Sequence, residues 1–292
     1  MQSSTKSKYE LFLGHDTDDN IRKIAIILAI SGFCGHLLLW ILIQNNTFKL
    51  SEENMEMFKS PLSSLYTPFS ILLAYEVYQL IRTIPESFSS SVGKQYEIAT
   101  LLVVRDILKR LSDIEFEDGW VLDDNLAFLV IECLAFLVLF YTSLTYHNIS
   151  KQINNDNTDF GKLSSFIYSK QIIALLMLVV FLTVTFTSLT GWIGSVLDGK
   201  GTVNREIFFL DFFTFLILAD ILILLISYWF YTDFGNLARN TGFVLSTVVI
   251  RVAISSPGVS AMLLFVLSGI IGVAIIRISM DGNLNLKKIP EM

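Results

Sequence analysis

Four ionisable side chains lie inside long apolar stretches of this 292-residue chain. Their chemical types, and their expected depth in a membrane, are suited to binding a small ion. They are Glu76, Glu132, Asp220 and Arg251. A charged group at the centre of a bilayer costs about 2.5–3.5 kcal/mol on insertion scales, so a chain keeps one there for a reason. Carboxylates at this depth commonly mark pathways for cations or protons. The chemistry expected of these residues is therefore to hold and pass on a small ion.

Asp220 and Arg251 are expected to face each other. The turn between the two apolar runs that contain them is centred near residue 235, which is almost equally far from both. In an antiparallel helix pair the two side chains then reach similar depth. Two interpretations stay open: a gate, proton relay or permeation site, or a neutralised pair that fixes the register of two helices. If they pair, the search for an unpaired functional carboxylate moves to Glu76 and Glu132.

Three further polar residues are secondary candidates for an ion pathway: His36, Thr187 and Asp211. Asp211 and Asp220 point about 180° apart on one helix, so they cannot line the same pore. His36 is typical of a hydrogen-bonded core residue. Thr187 lies in a hydroxyl-rich stretch, where threonine can also bond back to its own helix. Packing is therefore the first interpretation of that stretch, and a pore lining is the alternative.

The segment 92–114 predicts an amphipathic helix and not a span. Its charged residues fall in one arc, with Tyr96 and Val103 in the opposite arc. Such a helix usually lies in the membrane interface with its basic side toward the headgroups. Docking on the bundle as a coupling helix is the alternative. The expected contacts with the membrane surface are Lys94, Arg105, Lys109 and Arg110.

The fold expected to position the candidate residues is an all-α bundle of helices that crosses the membrane several times. The apolar runs predict about seven transmembrane helices and one amphipathic interfacial helix. A polar N-terminal tail (1–20) precedes the transmembrane domain (21–279), and a short C-terminal tail (280–292) follows it. A small excess of Lys and Arg favours a cytoplasmic N-terminus. The predicted spans are 21–44, 62–85, 126–146, 171–196, 207–231, 238–256 and 259–279.

Composition excludes several classes of protein. The chain is 53% hydrophobic and only 16% charged, and its net charge is -6. A basic stripe that could neutralise phosphates is missing, so nucleic-acid binding is not expected. The two cysteines fall inside predicted spans and the three histidines are scattered, so neither a disulfide framework nor a metal site is expected. No phosphate loop, nucleophile elbow or zinc-protease motif occurs, so no cofactor and no enzyme activity are expected.

The sequence favours a channel or secondary transporter for a small ion, with a cation or proton preferred over an anion. The alternative is a non-transporting scaffold, sensor or effector subunit that acts through its amphipathic helix. A membrane enzyme acting on lipids ranks third, because no catalytic motif supports it. The lipid bilayer is the expected partner. Small residues such as Ser268 and Gly272, four apart, also suggest helix contacts in a homo-oligomer.

Overall fold

The computed structural model describes residues 2–45, 61–113, 124–153, 160–197, 207–230 and 233–287, and every regular element in these ranges is a helix. A short 3-10 helix, Pro61–Leu65, precedes α3. The α-helices are α1 (Gln2–Leu13), α2 (His15–Gln44), α3 (Tyr66–Thr83), α4 (Phe88–Asp113), α5 (Asp124–Ile153), α6 (Phe160–Leu197), α7 (Ile207–Phe230), α8 (Phe234–Ser255) and α9 (Gly258–Lys287).

Six of the described helical segments are long and apolar enough to cross a membrane. This supports the prediction of a multi-pass membrane protein, although the expected count of seven spans is not confirmed. Helix α3, which corresponds to the predicted span 62–85, is not among the six, and its second half carries Glu76 and Arg82. The six are Lys8–Gln44, Leu126–Lys151, Ser164–Ser188, Phe212–Phe230, Phe234–Ser255 and Gly258–Met280.

Helix α4 runs antiparallel to α5 along its length. Near the start of α4, the hydroxyl of Ser89 is hydrogen-bonded to that of Ser150 at 2.7 Å. Near its end, Arg110 reaches Glu132 at 3.2 Å. About 30 Å of helix separates these two contacts on α4. The interfacial position expected from the sequence is not confirmed, and the contacts with α5 agree with the alternative of docking on the bundle. Amphipathicity predicts an apolar face without specifying whether the polar face meets water or other helices.

The buried apolar residues form two clusters, which divide the helices into two groups. The first group consists of α1, α2, α3, α6 and α7, with Val77, Ile81 and Phe212 in its cluster. Ile98 and Leu102 of α4 also belong to this cluster, so α4 borders both groups. The second group consists of α4, α5, α8 and α9, with Tyr96 and Phe243 in its cluster. The chain passes from the first group to the second at the α3–α4 turn and again at the α7–α8 turn.

The two short connections around α8 have clear local causes. The Asp233 carboxylate caps α8 by accepting a hydrogen bond from the backbone N–H of Asn236 at 3.0 Å. At the other end, Gly258 has a φ of 62°, in the left-handed region that glycine adopts without a steric penalty. Ser256, Pro257 and Gly258 therefore form a tight turn, which places α9 directly against α8.

The first twenty residues, expected to be a polar tail, contain α1 and the start of α2. The hydroxyl of Tyr9 donates to the carbonyl of Arg82 at 2.8 Å, so α1 is joined to the end of α3. Asp18 on α2 pairs with Arg82 at 3.4 Å and accepts a hydrogen bond from Tyr75 at 3.1 Å. The described part of this segment is therefore attached to the helix bundle.

Candidate functional site

Asp220 and Arg251 form an ion pair between α7 and α8, as the sequence predicts. The Nη2 atom of Arg251 lies 2.9 Å from Oδ2 of Asp220. The hydroxyl of Thr247, one turn before Arg251, donates to the same oxygen at 3.1 Å. The arginine side chain is only 2% exposed. Its Nε and Nη1 atoms have no hydrogen-bond partner among the described residues.

Glu76 has a basic partner, which contradicts the expectation that it is unpaired. The ammonium of Lys94 lies 3.5 Å from Oε2 of Glu76 on α3 and 2.9 Å from Oε2 of Glu97 on α4 itself. Glu76 is largely buried, whereas Glu97 is 44% exposed. Lys94 is thus shared between an inner and an outer carboxylate, and its charge faces other side chains of the bundle.

Glu132 is also paired, so the expectation of a free carboxylate is wrong here too. The Nε atom of Arg110 lies 3.2 Å from both carboxylate oxygens of Glu132. The guanidinium of Arg110 also lies 4.0 Å from the centre of the Phe128 ring. The Glu132 side chain is 2% exposed, so it depends on this partner for its charge to be tolerated.

Two other residues were predicted to contact the membrane surface. Arg105 pairs with its neighbour Asp106 at 3.2 Å, on the same helix. The side chain of Lys109 lies outside the described part of the structure. A membrane-surface role for these residues stays a prediction.

The secondary candidates for an ion pathway, His36 and Thr187, make no contact with the three ion pairs in the described part of the structure. His36 on α2 is hydrogen-bonded through Nδ1 to the hydroxyl of Thr67 on α3 at 2.9 Å, which suits the expected core role. Thr187 is exposed, and its hydroxyl donates to carbonyls of its own helix at 3.1 and 3.0 Å. That geometry favours the packing interpretation of the hydroxyl-rich stretch. The side chain of Asp211 is not described.

Lys170 on α6 is a buried cation that the sequence did not predict. Its ammonium donates to the carbonyl of Glu86, in the α3–α4 turn, at 2.6 Å. It lies 4.6 and 5.0 Å from the ring centres of Phe88 and Phe166. Lys170 is 3% exposed, and it has no carboxylate within ion-pair distance among the described residues. The predicted span 171–196 begins one residue after this lysine.

A buried hydroxyl network ties α4 to α8 and α9. The hydroxyl of Tyr96 donates to the carbonyl of Ser268 at 2.8 Å and is hydrogen-bonded to the hydroxyl of Ser246. Ser268 also donates to the carbonyl of Ser246 at 2.9 Å. The small face formed by Ser268 and Gly272 therefore receives Tyr96 of the same chain. It gives no support to the helix contact between copies that the sequence suggested.

A polar cleft of about 190 Å³ lies between the first half of α4 and the end of α5. Lys94, shared between Glu76 and Glu97, lies on its wall, so the cleft reaches one of the interior ion pairs. Its lining is rich in hydroxyls and charges. The lining residues are Thr83, Glu86, Ser89, Ser90, Gly93, Lys94, Glu97, Tyr146, His147, Ser150 and Lys151.

Within the described residues, no group of three or more His, Cys, Asp or Glu side chains could hold a metal ion. Both cysteines, Cys34 and Cys133, are free thiols. No family model, curated protein or solved structure matches the chain.

Proposed function

We propose that the chain is a membrane permeation protein, a channel or secondary transporter for a small cation or for protons. The observation that carries the proposal is the position of α4, a charge-rich helix that runs beside the apolar helix α5 for about 30 Å. That length equals the thickness of a hydrocarbon core. Ionisable residues inside membranes are costly, and they commonly mark ion pathways. Glu76, Glu132 and Asp220 would hold the ion.

The mechanism follows from where the ion pairs lie. Glu76–Lys94 joins α3 to α4 and Asp220–Arg251 joins α7 to α8, so both pairs connect the first group of helices to the second. A cation or proton that neutralises either carboxylate weakens the attraction between the groups. Ion binding is thereby coupled to a movement of one group against the other, as alternating access requires. The third pair, Arg110–Glu132, lies within the second group and positions α4 on α5.

Neutralising the carboxylates that join the two groups should impair transport. In liposomes of purified protein, Glu76→Gln and Asp220→Asn are each expected to lower the flux of rubidium, sodium or protons by about tenfold or more, which corresponds to about 1.4 kcal/mol in the barrier. Glu10→Gln is the matched control, because Glu10 is an exposed carboxylate on α1. Thermal unfolding establishes that each variant is folded. Wild-type flux in both interior variants contradicts the proposal.

We also propose eight membrane crossings, α2 to α9, in place of the seven expected from the sequence. The position of α4 along α5 supports the added crossing. Helix α3 lies along α2, with Arg82 near Asp18 at one end and Thr67 near His36 toward the other. At the α7–α8 turn, Trp229 is 88% exposed, as aromatic residues at a membrane boundary commonly are. The larger share of Lys and Arg then falls on the side of the N-terminus, which favours a cytoplasmic location for that side.

Eight crossings place both ends of the chain on one face of the membrane. Tags at residues 1 and 292 are therefore expected to be reached by antibodies from the cytoplasmic side only. Glu117→Cys, in a variant with Cys34→Ser and Cys133→Ser, is expected to react with an impermeant thiol reagent from the opposite side, since α4 has crossed before it. Seven crossings predict the reverse for the C-terminal tag and for residue 117. Tags on opposite faces therefore contradict the eight-crossing arrangement.

One observation favours the second candidate, a non-transporting membrane subunit. Each of the three interior carboxylates has a basic partner, so the pairs could serve only to hold helices together. The same liposome assay separates the two functions. Absence of flux for rubidium, sodium and protons, together with a partner protein that copurifies in fixed stoichiometry, supports the subunit.

A further inference from the structure

Arg251, on α8, has hydrogen-bonding capacity that its ion pair with Asp220 does not use. Asp220 contacts the guanidinium at Nη2 only, at 2.9 Å. The Nε and Nη1 atoms carry three of the five N–H donors of a guanidinium, and neither atom has a partner among the described residues. The side chain is 2% exposed. Buried donors without an acceptor cost about 1–3 kcal/mol each, so a further acceptor beside Arg251 is favoured.

A second buried cation, Lys170 on α6, lies in the same part of the interior. The register of α6 against α7 is set by two ring contacts, Phe166 with Phe230 at 5.4 Å and Phe181 with Phe212 at 5.1 Å. In this antiparallel register Lys170 is about 8 Å from Asp220 along the helix axis. Asp220 attracts the Lys170 ammonium more strongly than the carboxylate of Glu86 does. One buried carboxylate therefore acts on two buried cations.

The buried charges of this region do not balance. Asp220 is already paired with Arg251, and the hydrogen bond of Lys170 goes to the neutral carbonyl of Glu86. Among the described residues, Asp220 and Glu86 are the charged groups that act on the two cations. The Glu86 carboxylate is exposed and hydrogen-bonded to Ser90, so water solvates its charge. Because buried charges need a counter-ion, the charge that would complete this region is negative.

The side chains at this depth favour a small anion. Ala174 lies one turn after Lys170 on α6, and Ala219 precedes Asp220 on α7; both alanines are buried. The two helices therefore present small side chains at the depth between the two charges. A halide has no substituents and accepts N–H bonds from any direction, so it fits this packed interior better than a carboxylate or a phosphate.

We propose that Arg251 and Lys170 form a binding site for a small monovalent anion, a halide such as chloride, beside Asp220. The Nε and Nη1 atoms of Arg251 donate to the anion, and Lys170 balances its charge. A cation or proton that neutralises Asp220 removes a competing negative charge and so raises the affinity for the anion. By linkage, the anion raises the affinity of Asp220 for that cation or proton. The site does not depend on the permeation function proposed above, and the linkage would add an anion to that function.

Equilibrium binding of radiolabelled chloride to the full-length protein in detergent tests the site. Asp220→Asn imitates the neutralised carboxylate and is expected to raise the affinity about tenfold, a change of about 1.4 kcal/mol. Lys170→Met is expected to lower the affinity by about the same factor. Lys151→Met, at an exposed lysine, is the matched control and should leave the affinity unchanged.

A second measurement uses stability, because a bound ligand stabilises the folded state. The unfolding temperature of the wild type should rise when chloride replaces gluconate at constant ionic strength. Asp220→Leu with Arg251→Met removes both charges of the pair and is expected to stay folded, but chloride should no longer stabilise it.

The outcomes separate this site from the permeation function. Absence of chloride binding to the wild type overturns the proposal, as does unchanged binding in both Lys170→Met and the double variant. Unchanged or weaker binding in Asp220→Asn overturns it too. Flux without chloride binding overturns this site alone. Chloride binding that responds to these variants, without flux, overturns the permeation function alone.

Discussion

Replacing Arg251 by methionine is expected to destabilise the folded protein by about 3–5 kcal/mol. The Asp220 carboxylate would lose the guanidinium at 2.9 Å and remain in the interior of the bundle. The Thr247 hydroxyl at 3.1 Å is a neutral donor, so it compensates for only a small part of the lost attraction. The free energy of unfolding in mixed micelles, measured by denaturant titration, gives the size of the loss.

A double variant separates the structural role of this pair from its functional role. Asp220→Leu with Arg251→Met removes both charges, and stability close to that of the wild type is expected. Lys151→Met, at an exposed lysine, should change stability by no more than about 0.5 kcal/mol. If Arg251→Met lowers the free energy of unfolding by no more than Lys151→Met does, the Asp220–Arg251 pair is not buried. A double variant that is stable but inactive would assign the pair to ion movement.

Gly272→Ala is expected to cost at least about 1–3 kcal/mol, the usual range for an overpacked core. A Cβ atom on Gly272 would lie 1.8 Å from the Tyr96 hydroxyl oxygen. Tyr96 cannot easily retreat, because it is fully buried and its hydroxyl is bound to Ser268 and Ser246. Thermal and denaturant unfolding of the purified variant measure the effect.

Gly35→Ala is the matched control for this substitution. A Cβ atom on Gly35 would meet no atom within 4 Å, so the helix should gain up to about 1 kcal/mol from the alanine. A double-mutant cycle tests the cause. With Tyr96→Phe the clashing oxygen is gone, and Gly272→Ala should then cost less than in the wild type. An equal cost in both backgrounds would show that the close approach of Tyr96 is not responsible.

The sequence predicted the Asp220–Arg251 pair because a short turn fixes the relative depth of two antiparallel helices. It did not predict the partners of Glu76 and Glu132. Both partners, Lys94 and Arg110, lie on α4, and the amphipathic pattern of α4 fits an interfacial helix as well as an interior one. What distinguishes the two positions is the presence of matching charges on α3 and α5. Those matches depend on helix neighbours that one sequence does not specify.

The burial of Lys170 could not be read from the chain for a similar reason. A lysine at the edge of an apolar run usually lies in the interface with its charge in water. Helix α6 begins ten residues earlier, however, and the α3–α4 turn brings the Glu86 carbonyl to the ammonium. The cleft was not predicted either, because it is formed by the end of α5 against the start of α4. Long apolar runs in the sequence predict the helices, whereas the burial of Lys170 and the cleft depend on which helices become neighbours in the folded protein.

The buried contact between α4 and α8 has a consequence for the assembly of the protein in the membrane. It joins the hydroxyls of Tyr96 and Ser246, which are 150 positions apart in the chain. The Tyr96 hydroxyl also donates to the carbonyl of Ser268 on α9. All of these partners follow α4 in the chain, so Tyr96 acquires them only after α8 and α9 have been synthesised. The final position of α4 is therefore fixed late in assembly.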